Sequence, residues 1–112
     1  MESTRQKKVG RLVQKELAEI FRIETRNRFK GNMITPTVVR MSPDLLLAKV
    51  YLSVFPSEKQ DEVIEMVNST SGEIRYNLGK KIGKQVKSIP ELAFYIDDSL
   101  DYAKRIDNLL NS

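Results

Sequence analysis

The sequence predicts a small α+β domain in the order helix, strand, strand, helix, helix, strand. Three observations carry this. Apolar residues recur at helical spacing near residues 3–24, 57–69 and 71–87. Three other stretches, near 33–41, 46–55 and 91–97, alternate or are rich in β-branched residues, and turn signals bound them. The chain has 112 residues, enough for one compact domain, 1–112, and too few for two ordinary ones.

The first helix opens at "STRQKKVGRLVQKELAEIFR", with Ser3 and Gln6 in capping-box spacing. Val9, Leu12, Val13, Leu17, Ile20 and Phe21 share one face; Lys8, Arg11, Lys15 and Arg22 share the opposite one. "NRFKGN" ends the helix, with Gly31 and Asn32 as turn residues. "MITPTVVRM" reads as a strand, and Pro36 places it at a sheet edge because proline cannot donate to a ladder. "SPD" is a turn. "LAKVYLSVF" then sets Ala48, Val50, Leu52 and Val54 on one face of a strand antiparallel to the first.

After Pro56, Ser57 and Gln60 have capping-box spacing at the head of a helix whose core face is Val63, Ile64 and Val67. "ELAFYID" follows Pro90 and turns Leu92, Phe94 and Ile96 to one side. "DSLDYAKRIDNLL" spaces Leu100, Ala103, Ile106 and Leu110 for a short C-terminal helix.

Between these lies "TSGEIRYNLGKKIGK", Thr70 to Lys84, dense in glycine and cations. A phosphate-binding P-loop needs four residues between its glycine and a Gly-Lys-Ser/Thr end. Here six residues separate Gly72 from Gly79 and three separate Gly79 from Gly83, and no Ser or Thr follows either lysine. A dinucleotide GxGxxG fails as well. The stretch reads instead as a helix capped by Thr70 with Glu73 three residues on. Ile74, Leu78, Ile82 and Val86 form its core face; Lys80, Lys84 and Lys87 lie opposite, and Gly79 and Gly83 are expected to pack on the sheet. Two helices then meet at Thr70, Ser71 and Gly72, with Gly72 easing the turn. The order α-β-β-α-α-β is that of a type II KH domain in which this kink replaces the GxxG loop.

Composition bounds the chemistry. There is no cysteine and no histidine, which removes disulfides, thiolate sites, the usual zinc sites and histidine-based catalysis. No cofactor or metal is expected, and no enzymatic activity. No apolar run spans a bilayer and no signal segment follows Met1, so a cytoplasmic protein is expected, a monomer without membrane or small-molecule partners. The net charge of +4 is uneven. Residues 1–30 carry +5, 31–72 carry −2, 73–89 carry +4 and 90–112 carry −3. Two positive blocks fit an anionic partner meeting one surface.

With these elements in order, the sequence resembles bacterial ribosome-binding factor A over nearly its whole length. "MSPDLLLAKVYLSV", "SGEIRYNLGKKI" and "IPELAFYIDDSLDYAKRIDNLL" carry the resemblance. It implies a KH-like fold and a non-catalytic factor that binds the immature small ribosomal subunit and its ribosomal RNA. It further implies help in late maturation, including the RNA 5′ region, and a part in growth in the cold. Family members carry an Ala-x-Gly kink between the two helices; Thr70 stands at the alanine here. Many also carry a basic tail. This sequence ends at Ser112 after an acidic segment, so no tail contact is expected.

The candidate RNA-binding residues are Lys8, Arg11, Lys15 and Arg22 on the first helix and Arg75, Lys80, Lys84 and Lys87 on the third. Arg75 lies near the apolar side of its helix, where a salt bridge to Asp97 competes with a phosphate contact. Asp97-Asp98 reads as turn and capping residues rather than a metal site, and Tyr51, Phe55 and Tyr95 as packing rather than a stacking platform. The alternative function is a basic RNA- or DNA-binding domain or a permanent ribosomal protein. The latter usually has long basic extensions, and a DNA reader needs base-reading side chains where this helix has lysines.

Overall fold

The computed structural model describes residues 2–27 and 31–97. It is an α+β structure with the order α1 (Thr4–Asn27), β1 (Met33–Met41), β2 (Leu47–Phe55), α2 (Gln60–Ser69), α3 (Ser71–Ile82) and β3 (Glu91–Ile96). A single 3₁₀ turn, Ser57–Lys59, leads into α2. The predicted C-terminal helix, and Asp98 with it, lie outside the described residues.

The sheet runs β1-β2-β3, with β1 and β2 antiparallel and β2 and β3 parallel. Pro36 sits on an edge strand, as expected, and the register shifts between Pro36 and Val38, a bulge at Thr37. The three helices cover one face. Val13, Leu17, Ile20 and Phe21 of α1, Val63 and Val67 of α2, and Ile74, Leu78 and Ile82 of α3 meet Ile34, Ala48, Val50, Leu52, Leu92 and Phe94 of the sheet in one core. The Phe21 and Phe94 rings meet edge to face at 5.8 Å, the arrangement their quadrupoles favour.

The α1 helix lies along the edge of β1. Its capping box forms as the spacing predicts: Ser3 N–H donates to Gln6 Oε1 at 2.7 Å, and Gln6 N–H to Ser3 Oγ at 3.1 Å. The rest of the contact is not written in helix spacing. Gln6 Nε2 donates to the Met41 carbonyl, and Gln14 Nε2 to the carbonyls of Pro36 and Thr37. Gly10 lies between them, where an added Cβ would stand 3.1 Å from the Val39 carbonyl oxygen. The glutamines satisfy carbonyls on the edge of the sheet, and the glycine lets the two backbones approach.

Four expectations are corrected. Ser57 makes no capping bond, and α2 begins at Gln60 after the 3₁₀ turn. Thr70 makes no side-chain cap to α3; its hydroxyl donates back to the carbonyls of Met66 and Val67, so it closes α2, while its own carbonyl accepts the first N–H groups of α3. The third helix stops at Ile82 rather than continuing to residue 87. Gly83 N–H makes a last bond to Gly79 O, and Gln85 N–H turns back to Ile82 O. The chain must reverse there to enter β3 parallel to β2. Gly79 packs on Ile89 of the connection rather than on the sheet.

The two glycines at the ends of α3 differ in a measurable way. A Cβ on Gly83 would lie 2.6 Å from the Gly79 carbonyl oxygen, whereas one on Gly72 would meet nothing within 4 Å, and Gly72 has no positive φ. Gly83→Ala is expected to lower the unfolding free energy by about 1–2 kcal/mol. Gly72→Ala is expected to be neutral or to add up to about 1 kcal/mol through helix propensity. Urea unfolding of the two variants checks the contrast. In the same assay Gln6→Ala is expected to cost about 1–3 kcal/mol, because it opens the capping box and strands the Met41 carbonyl.

Candidate nucleic-acid interface

The helical layer carries the cations. On α1, Lys8, Arg11 and Lys15 are exposed on the side opposite the core. Arg22 is exposed too, but its guanidinium binds Glu19 through two hydrogen bonds, Nη2 to Oε1 at 2.5 Å and Nε to Oε2 at 3.1 Å. The hydrogen bond from Arg22 holds the Glu19 carboxyl below its ordinary range. A phosphate at Arg22 has to displace this partner, so it differs from the other three cations of its stripe.

On α3, Lys80 is exposed opposite the core residues Ile74, Leu78 and Ile82. Lys84 and Lys87 are exposed as well, but they stand in the turn and bend after Ile82 and not on a helix face. The helices α1 and α3 lie side by side, and Lys81 reaches Glu16 across them at 3.9 Å. Lys87 comes round toward the N-terminal end of α1, where it lines a cavity of about 410 Å³ with Arg5, Val9 and Val86. The elements that carry the two basic stripes, far apart in sequence, are therefore neighbours in one layer.

Arg75 is not paired with Asp97. Its Nε donates to the Pro90 carbonyl at 3.1 Å and its Nη2 to the Ile89 carbonyl at 2.9 Å, tying α3 to the start of β3. Asp97 instead accepts from the Thr37 hydroxyl at the bulge. At the kink, α2 ends at Ser69 and α3 starts at Ser71, with Thr70 between them at φ −105°. Gly72 and Arg75 line the same open surface as Tyr76, Gly79 and Lys80. Sequence reasoning passed over Tyr76; its signal is the separation of four from Lys80, whose Nζ lies 4.7 Å from the centre of the tyrosine ring.

The opposite face of the sheet holds the other aromatics. Val38, Tyr51 and Tyr95 form a row across the three strands, and the Tyr51 and Tyr95 rings lie 5.6 Å apart. The α3 helix is on the other side of the sheet and does not cover them. Among the described residues no helix is long and apolar enough to cross a membrane.

A kinked α2–α3 pair over a three-stranded sheet is the geometry that the sequence resemblance implies. The family model for ribosome-binding factor A matches residues 5–110. The chain belongs to the ribosome-binding factor A family. A family member from Cytophaga hutchinsonii is 48% identical over 99% of this chain and 84% of its own length. The solution structure of a Thermotoga maritima protein, described as a putative ribosome binding factor A, superposes with a TM-score of 0.68 at 26% identity, over 85% of this chain and 89% of that one. A homology model of Thermus thermophilus ribosome binding factor A, fitted into a cryo-electron-microscopy map of its 30S complex, superposes with a TM-score of 0.61 at 20% identity, over 78% of this chain and 89% of that one. The fold of the family is KH-like, and this chain shares it.

Arg75→Ala is expected to lower stability by about 1–2 kcal/mol by releasing two carbonyls at the start of β3. Arg75→Lys is expected to restore less than half, since an ammonium lacks the fork that spans both carbonyls. Chemical denaturation of the three proteins measures it.

Proposed function

We propose that this chain is a non-catalytic assembly factor: a single cytoplasmic domain, acting as a monomer, that binds the immature small ribosomal subunit through its ribosomal RNA. In this reading it assists late maturation, including the RNA 5′ region, and supports growth in the cold. Family membership carries the proposal, together with a 30S complex described for the Thermus thermophilus relative. The helical layer supplies the chemistry. Lys8, Arg11 and Lys15 on α1 and Lys80, Lys84 and Lys87 around the end of α3 are exposed cations. Neutralising phosphates with them releases counterions, so affinity falls steeply as salt rises. Lysines read little sequence, and specificity then comes from the shape of the folded RNA.

Reversing Lys80, Lys84 and Lys87 together to glutamate is expected to weaken binding to purified small subunits at least tenfold and to flatten its salt dependence. The side chains are exposed, so thermal stability should change little. The same reversal of Lys8, Arg11 and Lys15 tests the α1 stripe independently. Cosedimentation through sucrose gradients at several salt concentrations is the measurement. Unchanged binding and unchanged salt slope in both triple variants would contradict the electrostatic part of the proposal.

A further inference from the structure

We infer that Tyr76 is a base-stacking residue: the groove beside α3 takes the base of an unpaired RNA nucleotide against the tyrosine ring, with Lys80 on its phosphate. The inference rests on the reading that the chain binds RNA, and it names a residue and a contact which that reading does not contain.

The groove runs between α3 and the connection that leads into β3. Its volume is about 670 Å³, and Gly72, Arg75, Tyr76, Gly79, Lys80 and Ile89 line it. Its walls are built to stay open. Arg75 holds the Ile89 and Pro90 carbonyls and so fixes the far wall. Gly72 leaves the wall nearest the kink bare, with nothing within 4 Å of where its Cβ would be. A Cβ on Gly79 would meet the Ile89 side chain at 3.4 Å, so the glycine leaves room for that side chain against the helix.

Tyr76 does not belong to the core. It is 65% exposed, the same rim carries a cation, and none of the groove's lining residues is acidic. The Lys80 ammonium stands over the ring, 4.7 Å from its centre, which orients the ring and places a positive charge on one face. An exposed ring with a lysine over one face offers the two things that a nucleotide brings partners for: its other π face for the base and a cation for the phosphate. Lys84 and Lys87, exposed just beyond the end of α3, continue the positive charge along the path a backbone would take. An apolar peptide would find one ring bordered by a charge; an unpaired nucleotide satisfies both groups at once.

The test uses the full chain and two probes. For purified small subunits, Tyr76→Ala is expected to weaken binding roughly tenfold while leaving the salt slope unchanged, because stacking releases no counterion. Tyr76→Phe should bind like the original, since the ring is kept. Lys80→Ala should lower the slope. The second probe is a hexamer of oligoadenylate. The sequence has no tryptophan, so the indole of Tyr76→Trp is a unique reporter, and stacking should quench its emission. Equal affinity of the original and Tyr76→Ala for small subunits would overturn the inference and leave the ribosome-binding reading standing. Failure of the original chain to bind small subunits would overturn that reading, and the inference would then be decided by the hexamer: quenching upholds it and unchanged emission overturns it.

Discussion

The close lie of α1 along β1 is the contact on which the helical face depends. An edge strand leaves carbonyls open, and in β1 the proline and the bulge after it make that edge irregular. Gln6 and Gln14, two turns apart, donate to those carbonyls on either side of Gly10, which rests against the Val39 carbonyl. This contact sets the roll of α1 about its own axis. Once the roll is set, Val13, Leu17 and Phe21 enter the core, and Lys8, Arg11 and Lys15 point outward. The cationic stripe follows from where three uncharged residues sit.

The second half of the molecule follows a different constraint. The chain leaves β2 at one end of the sheet and must return to enter β3 in the same direction, which requires a crossover. The α2–α3 pair supplies it in two short helices bent at Thr70. Ile74, Leu78 and Ile82 anchor the second helix, and the glycine at 83 ends it once its core face is used. The remaining distance to β3 is covered by irregular chain, which Arg75 fastens through two carbonyls. That return loop forms one wall of the groove beside α3 and carries Lys84 and Lys87. The crossover and the proposed RNA surface are thus the same piece of chain.

Charge is arranged by the same division. Glu19 and Glu16 of α1 are engaged, the first by Arg22 and the second by Lys81 across the helix pair. Such exposed pairs contribute little to stability. Their effect is local cancellation: they remove acids from the neighbourhood of the free lysines. The net positive charge of the layer is then expressed by Lys8, Arg11, Lys15 and Lys80, which face water opposite the core.

The sequence by itself determined the element order, the apolar face of each helix, the inward side of each strand, the edge position of β1 and the capping box of α1. These rest on local periodicity and on backbone limits of single residues, which act whatever the rest of the chain does. Only the tertiary structure decided where α3 ends, because Val86 and Lys87 keep the helical spacing while the return to β3 demands a turn. It decided that Thr70 closes α2 instead of opening α3, since its hydroxyl had carbonyls within reach on one side. It paired Arg75 with two carbonyls at the start of β3 rather than with Asp97, which follows the far end of that strand and accepts from Thr37. It also brought the two basic stripes into one layer and set Tyr76 at the rim of a groove. Apart from Thr70, whose partners lie in the preceding turn, each of these depends on groups that only the fold brings together, and spacing along one helix carries no record of that.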